Sequence, residues 1–274
     1  MRTEKTEKEL AFLHDLFVAP DWGERFAELI DQHVTIPNNG KTLYLGVGSG
    51  GHAISLYERA TNKVEFLGVD ENAECLELAR AKVAATKDAV EFRKATLDKL
   101  DLVDDEYDVV IGNASLLSIH RVTRMFTEMV RVAAPGAQVA LALPSASSFG
   151  EFFSIYWEAL HNTGLIDHEV DVEHLILALP AVSDIEDLAT SEGLTQVESW
   201  TSIEEFDFDS GEQFLNSPLV SEFLMQNWLA SVPDESRETL IKELNRLINE
   251  ERHEAEFALS VKATLVMGRK THTH

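Results

Sequence analysis

The chain has 274 residues, enough for one large domain or for one domain with a substantial cap. It carries 23 Lys and Arg against 48 Asp and Glu, a formal net charge of −25. A surface this acidic repels phosphate backbones and anionic lipid, which argues against nucleic-acid binding and against docking on acidic membranes. Self-repulsion that keeps the chain soluble, or life in a salty cytoplasm, accounts for the charge more simply than attraction of a cationic substrate. No apolar stretch is long enough for a membrane span, and Met1-Arg-Thr-Glu-Lys-Thr-Glu-Lys has no apolar segment behind its charges to make a secretory signal. The one cysteine, Cys75, rules out an internal disulfide and a Cys-based zinc site, and it reads as a core residue. A cytoplasmic location and no metal are expected.

The first forty residues read as two helices. Leu10, Leu13 and Phe17 fall at helical spacing, Pro20 breaks the run, and Trp22, Phe26 and Ile30 carry the second helix. Pro37-Asn-Asn-Gly40 signals a turn. From Lys41 the pattern alternates: strands are predicted at 42–45, 64–69, 90–92, 107–111 and 138–143, with Asp70 closing the second. Helices are predicted after the first strand to about 59, at 72–83 and at 119–132, and Pro135-Gly136 marks a turn. Strands this apolar, separated by single helices, imply a parallel sheet covered on both faces.

Beyond Pro144 a helix gathers Phe149, Phe152, Phe153, Tyr156, Trp157 and Leu160 on one face; core packing is preferred for this stripe over an aromatic wall above a substrate. Residues 163–182 lack regularity, with a short strand expected at 175–179. A helix at 185–192, a strand at 196–200 and a helical stretch at 211–230 follow. Ser231-Val-Pro-Asp234 resembles a capping box opening a long charged helix with the stripe Leu240, Leu244, Leu247 and Ile248. Residues 257–267 should form the last strand, and the tail 271–274 is expected to be unstructured.

Chemistry concentrates at Gly46-Val-Gly-Ser-Gly-Gly51, where a strand turns into a helix. Missing side chains let a ligand come close there, backbone amides can face it, and Ser49 adds a hydroxyl. Asp70 ends the next strand, where a carboxylate accepts hydrogen bonds from both ribose hydroxyls of an adenosine. Gly46-x-Gly48-x-x-Gly51 with Asp70 formally matches a dinucleotide fingerprint. Gly46-x-Gly48-x-Gly50 fits the first motif of class I methyltransferases equally well, and a turn that needs glycine only for tight packing is the bland reading.

The downstream motifs separate these readings. Leu43-Tyr-Leu-Gly-Val-Gly-Ser-Gly50 is similar to "LDLGCGTG", Phe66-Leu-Gly-Val-Asp70 to the second motif, Glu106-Tyr-Asp-Val-Val-Ile111 to the "FDVV" strand, and Val130-Arg-Val-Ala-Ala-Pro-Gly-Ala-Gln-Val139 to the "LKPGGRLV" turn. Four motifs in order resemble the class I S-adenosylmethionine-dependent methyltransferase superfamily, nearest the ubiquinone/menaquinone-biosynthesis type. The resemblance implies an α/β, Rossmann-like seven-stranded sheet with helices on both faces, the last strand antiparallel, plus a helical cap. The flanks 1–40 and 145–235 carry no such motif; the chain is expected to divide into an N-terminal helical cap over 1–40, a cofactor-binding core over 41–144, a cap or substrate insertion with part of the core over 145–235, and a final helix and strand over 236–270. S-adenosyl-L-methionine is the implied cofactor, with Gly46, Gly48, Ser49, Gly50, Asp70, Thr96, Leu97 and Asn113 around it. The backbone at Asn113 would hold the methionine ammonium. Ser115 and Ser118 lie on the same edge, and His120 is the candidate general base, although a surface or helix-capping histidine is the simpler reading.

Two departures stand out: the family usually has Asp where this chain has Tyr44, and Asp beside the adenine where it has Thr96, with Asp98 as the nearest substitute. The expected function is methyl transfer to a small or medium-sized acceptor, with a small molecule as partner and a homo-oligomer left open. The alternatives are an NAD(P)-dependent oxidoreductase using the same loop and a non-catalytic binding module that keeps the fold.

Overall fold

The computed structural model describes residues 5–60, 64–86, 90–251 and 257–271. Helix α1 (Glu7–Leu13) opens with a capping box in which the Thr6 hydroxyl accepts from the Glu9 amide and the Glu9 carboxylate accepts from the Thr6 amide. The chain then continues through a π-helical segment, His14–Gly23, into α2 (Glu24–His33). The break expected at Pro20 does not occur. Proline lacks an amide and its ring crowds the preceding turn, and the wider i→i+5 winding of this segment accommodates both defects. That winding also changes which side faces in: Val18, Trp22, Phe26 and Ile30, four residues apart, are buried, whereas Phe12, Leu16 and the stripe residue Phe17 are exposed.

The sheet is built from β1 (Gly40–Leu45), β2 (Val64–Asp70), β3 (Val90–Lys94), β4 (Tyr107–Asn113) and β5 (Ala133–Pro144), with α3 (Gly51–Arg59), α4 (Ala73–Thr86) and α5 (Ile119–Val132) between them. It continues with α6 (Gly150–Asn162), α7 (Glu169–Ala178), α8 (Val182–Ser191), β6 (Leu194–Phe208), α9 (Gly211–Asn216), a second π segment Leu219–Leu224, α10 (Met225–Trp228), α11 (Asp234–Glu251) and β7 (Phe257–Lys270). Strand order is β3-β2-β1-β4-β5-β7-β6, and β1 to β5 pair in parallel. On β7, Arg269 reaches the Gly136 carbonyl and Met267 meets Gln138, while Thr195 and Thr201 of β6 meet Arg269 and Thr264. Residue numbers run in opposite senses on each side, so β7 is antiparallel to both neighbours. This is the Rossmann-like, seven-stranded α/β fold with an antiparallel last strand that the motifs imply.

The chain divides into two compact units, one of Met1–Leu143, Val182–Thr201 and Ala263–His274, the other of Pro144–Ala181 and Ser202–Lys262. In the first, alternation along β1 sends Leu43 and Leu45 to the face covered by Met125, Phe126 and Met129 of α5. The opposite face takes Tyr44, edge-on to His52 of α3, and Phe66, edge-on to Tyr57.

In the second unit the aromatic stripe of α6 packs inward. Phe152 stacks on Trp228 with ring centroids 4.2 Å apart and also meets Tyr156 and Phe214. Two expectations fail here. The short strand expected at 175–179 is part of α7, whose apolar residues do not share one face: Val172 is buried, while Ile176 and Leu177 are exposed, so no helical period shows. Helix α11 begins at Asp234, three residues past Ser231, so Ser231 is not its cap. Strand β6 is also far longer than the predicted 196–200. Of the tail, only Thr271 falls within the described residues. Among the described residues no helix is long and apolar enough to cross a membrane, and no group of three or more His, Cys, Asp or Glu is placed to hold a metal ion.

Phe152→Ala should cost about 3–5 kcal/mol in chemical denaturation, because a fully buried ring leaves a cavity that its aromatic neighbours cannot collapse. A loss under about 1 kcal/mol would contradict this packing.

Candidate functional site

Strand order reverses direction between β1 and β4, and ligands in open α/β sheets bind outside the carboxyl ends of strands at such a switch point. Gly46 leaves β1 there and Asn113 leaves β4. Gly46 has φ +74°, and a Cβ on it would collide with the Asn113 carbonyl oxygen, so only glycine fits between these two strand ends. Gly48 has φ +52°, and Gly50, with φ +78°, is the left-handed N-cap of α3.

The loop satisfies much of its own backbone. The Gly46 and Val47 amides donate to the Val69 carbonyl and the Gly50 amide to that of Val47. The Gly48 amide donates to Asp70 Oδ2 at 2.8 Å, and the other Asp70 oxygen accepts from the Asn72 amide at 2.9 Å. Burial pushes the Asp70 pKa up, and these backbone donors only partly offset it.

The N-terminal helical run lies over this loop. The His14 ring sits where a Gly48 side chain would, 2.5 Å from an ideal Cβ, and burial lowers its pKa. Next to it, Asp15 accepts from Lys82 Nζ at 2.5 Å, and the same ammonium donates to the Ser49 carbonyl and hydroxyl. Burial raises the Asp15 pKa, but bonds from Lys82 and Ser49 outweigh it and the net shift is downward. Ser49 is therefore buried and engaged within the protein.

At the other end of Asp70 lies a charged cluster. The Leu97 amide donates to Glu71 Oε1 at 3.1 Å, and Arg121 clamps the Glu71 carboxylate with both terminal nitrogens. Arg121 also donates to Asp98, as does Arg124 at 3.1 Å. Hydrogen bonding by Arg121 holds both carboxyls below the usual range and raises the guanidinium in turn. Asp98 is thus committed to two arginines, which removes it as the free acceptor expected beside Thr96. Thr96 itself closes a small turn by accepting the Lys99 amide at its carbonyl.

The Asn113 side-chain oxygen accepts from the Ser115 amide at 3.0 Å, which leaves its NH2 group on the side of the Tyr44 oxygen. His120 is exposed on the first turn of α5, outside this cluster. Sequence reading missed His14, Asp15, Asp31, His52, Glu71, Lys82 and Arg121. For the first two a signal existed: Ala11, Val18 and Trp22 put His14 and Asp15 on the buried side once the helix winds by fours.

Residues 43–136 match the family model described as a methyltransferase domain. That stretch is similar to a methyltransferase domain over about a third of the chain. A demethylmenaquinone methyltransferase of Deinococcus radiodurans is 31% identical over 121 residues, covering 43% of this chain and 50% of that protein. The chain therefore spans about half the length of the curated relative it matches. The YcgJ protein of Bacillus subtilis superposes with a TM-score of 0.59 at 16% identity, over 91% of this chain and 100% of its own. Phosphoethanolamine N-methyltransferase 2 of Haemonchus contortus, in complex with phosphomonomethylethanolamine and S-adenosylhomocysteine, gives 0.58 at 17%, over 99% of this chain and 59% of its own. These two likenesses show the fold. The glycine loop, Asp70, Thr96, Leu97 and Asn113 all fall inside the matched stretch, whereas His14 and Asp15 precede it.

Lys82→Met should loosen the N-terminal helical run from the glycine loop. A part-exposed ion pair contributes roughly 0.2–1 kcal/mol, so amide exchange across 11–23 should quicken by about threefold with α5 unaffected. Unchanged exchange would show that the Asp15–Lys82 pair does not hold this segment.

Proposed function

We propose that the chain is an S-adenosylmethionine-dependent methyltransferase acting on a small or medium-sized acceptor. The observation that carries this reading is the match of residues 43–136 to a methyltransferase domain, with Asp70 bonded across to the glycine loop inside it. The Asp70 carboxylate, which takes one backbone amide on each oxygen, keeps lone pairs for ribose hydroxyls. When bound, the cofactor supplies an electrophilic methyl group on sulfur, and transfer is an in-line displacement that asks the protein for alignment and a dry pocket. Gly46, Gly48 and Gly50 would line the cofactor, Asp70 would hold its ribose, Thr96 and Leu97 would meet its adenine, and the Asn113 backbone would meet its ammonium. Ser49 faces Lys82 and serves the loop. His120 is exposed on the first turn of α5, and no general base is assigned.

The family match and the curated relatives, all methyltransferases, support this reading over the dinucleotide alternative. The relative's name points to a quinone-type acceptor, which the half-length match supports only as a class of small molecule.

Isothermal titration with S-adenosylhomocysteine and with NADH tests the reading. The wild type should bind the first and not the second. Asp70→Asn should weaken S-adenosylhomocysteine by about tenfold or more, since hydrogen bonds to a charged group are worth roughly 1.5–3 kcal/mol. Preference for NADH would favour an oxidoreductase, and unchanged affinity in a folded Asp70→Asn variant would remove Asp70 from the site.

A further inference from the structure

Tyr44 stands where a carboxylate is usual for the family, yet its hydroxyl is not isolated. It lies 2.9 Å from His52 Nδ1, and His52 Nε2 lies 2.8 Å from Asp31 Oδ1. Arg59 donates to the same Asp31 oxygen. Proton positions along this chain follow from chemistry. An ionised carboxylate only accepts, so His52 Nε2 carries the hydrogen, and in the tautomer with that one hydrogen Nδ1 accepts from the Tyr44 hydroxyl. Asp31 is held ionised: burial pushes its pKa up, and bonds from His52 and Arg59 more than reverse that.

The far end is equally determined. The Ser115 amide must donate, so it fixes the Asn113 side-chain oxygen on its side and leaves the Asn113 NH2 facing the Tyr44 oxygen. A tyrosine whose proton is drawn toward histidine is a stronger acceptor for that NH2, because hydrogen bonds in a chain polarise one another. The sequence Asp31–His52–Tyr44–Asn113 therefore runs from a partly exposed carboxylate on α2, through α3 and a fully buried strand position, to the residue whose carbonyl faces Gly46.

The geometry points to Tyr44 as a positioning residue: through His52 it carries the pull of the Asp31 charge to Asn113, and so sets the backbone that receives the amino-acid end of the cofactor. The usual acid is thus replaced by one drawn from the N-terminal helical run and relayed by two side chains. This rests on the cofactor reading above, and it separates the two ends of the ligand. Asp70 governs the nucleoside end, and the relay governs the amino-acid end alone.

The test compares two probes by titration calorimetry. S-adenosylhomocysteine carries the amino-acid end, and 5′-methylthioadenosine lacks it. Tyr44→Phe, which removes one oxygen and keeps the ring, should weaken S-adenosylhomocysteine by about tenfold and leave methylthioadenosine within about twofold. Asp31→Asn, at the solvent end of the relay, should show the same selectivity at about threefold and report independently of the buried variant's folding. Because one chain carries the effect, the double variant should be no weaker than Tyr44→Phe alone. Wild-type affinity in both variants, or equal loss of both probes, would overturn the proposal, the latter by showing a merely structural role. A wild type that binds neither probe would overturn the cofactor reading and this inference with it.

Discussion

The Asp70 carboxylate accepts from the Gly48 and Asn72 amides, and this pair of bonds ties the end of β2 to the turn that leaves β1. The turn exists only because Gly46, Gly48 and Gly50 take left-handed backbone angles, and Gly46 is pressed against the Asn113 carbonyl at the end of β4. Three strand ends are thereby locked into one rim. The cost is a carboxylate withdrawn from water, visible as its raised pKa. Perturbed titratable groups concentrate at functional sites. The rest of the site is arranged around this rim: His14 over Gly48, Glu71 on the Leu97 amide, and Tyr44 behind Asn113.

Charge is distributed with some economy around it. Acidic residues outnumber basic ones about two to one, yet the cations at the rim each serve several acceptors. Lys82 joins Asp15 to Ser49, Arg121 joins Glu71 to Asp98, and Arg59 holds Asp31 on the relay. Each links an element outside the loop to the loop or its flank. Isolated surface pairs contribute little to stability, whereas networks that fix the position of loop-lining groups act on binding geometry. A ligand lying along this edge from Gly48 to Leu97 meets two of these assemblies, so its affinity reports on them as well as on direct contacts.

Much of this was legible in the sequence for a definite reason. Strands β1, β2, β4 and β5 are buried on both faces and so read as continuous apolar runs, and the glycines and Asp70 follow them at fixed offsets. The illegible parts depend on tertiary contact or on unusual winding. Spacing by fours in Val18, Trp22, Phe26 and Ile30 is also allowed in an α-helix, and Pro20 reads locally as a breaker, so the π segment is hidden. In α7 the apolar residues surround the helix, which erases the period. His52 meets Asp31 across 21 positions, Arg121 meets Glu71 across 50 and Lys82 meets Asp15 across 67, so no local pattern marks them. Tyr44 was visible as a departure from the family, but the partners that give it a role were not.

A crystal structure of the chain with S-adenosylhomocysteine tests the central claim most directly. The account predicts ligand density along Gly46–Gly50, with both ribose hydroxyls within hydrogen-bond distance of Asp70 and the amino-acid end at the Asn113 carbonyl. Density elsewhere, or a ligand whose ribose does not touch Asp70, would contradict it.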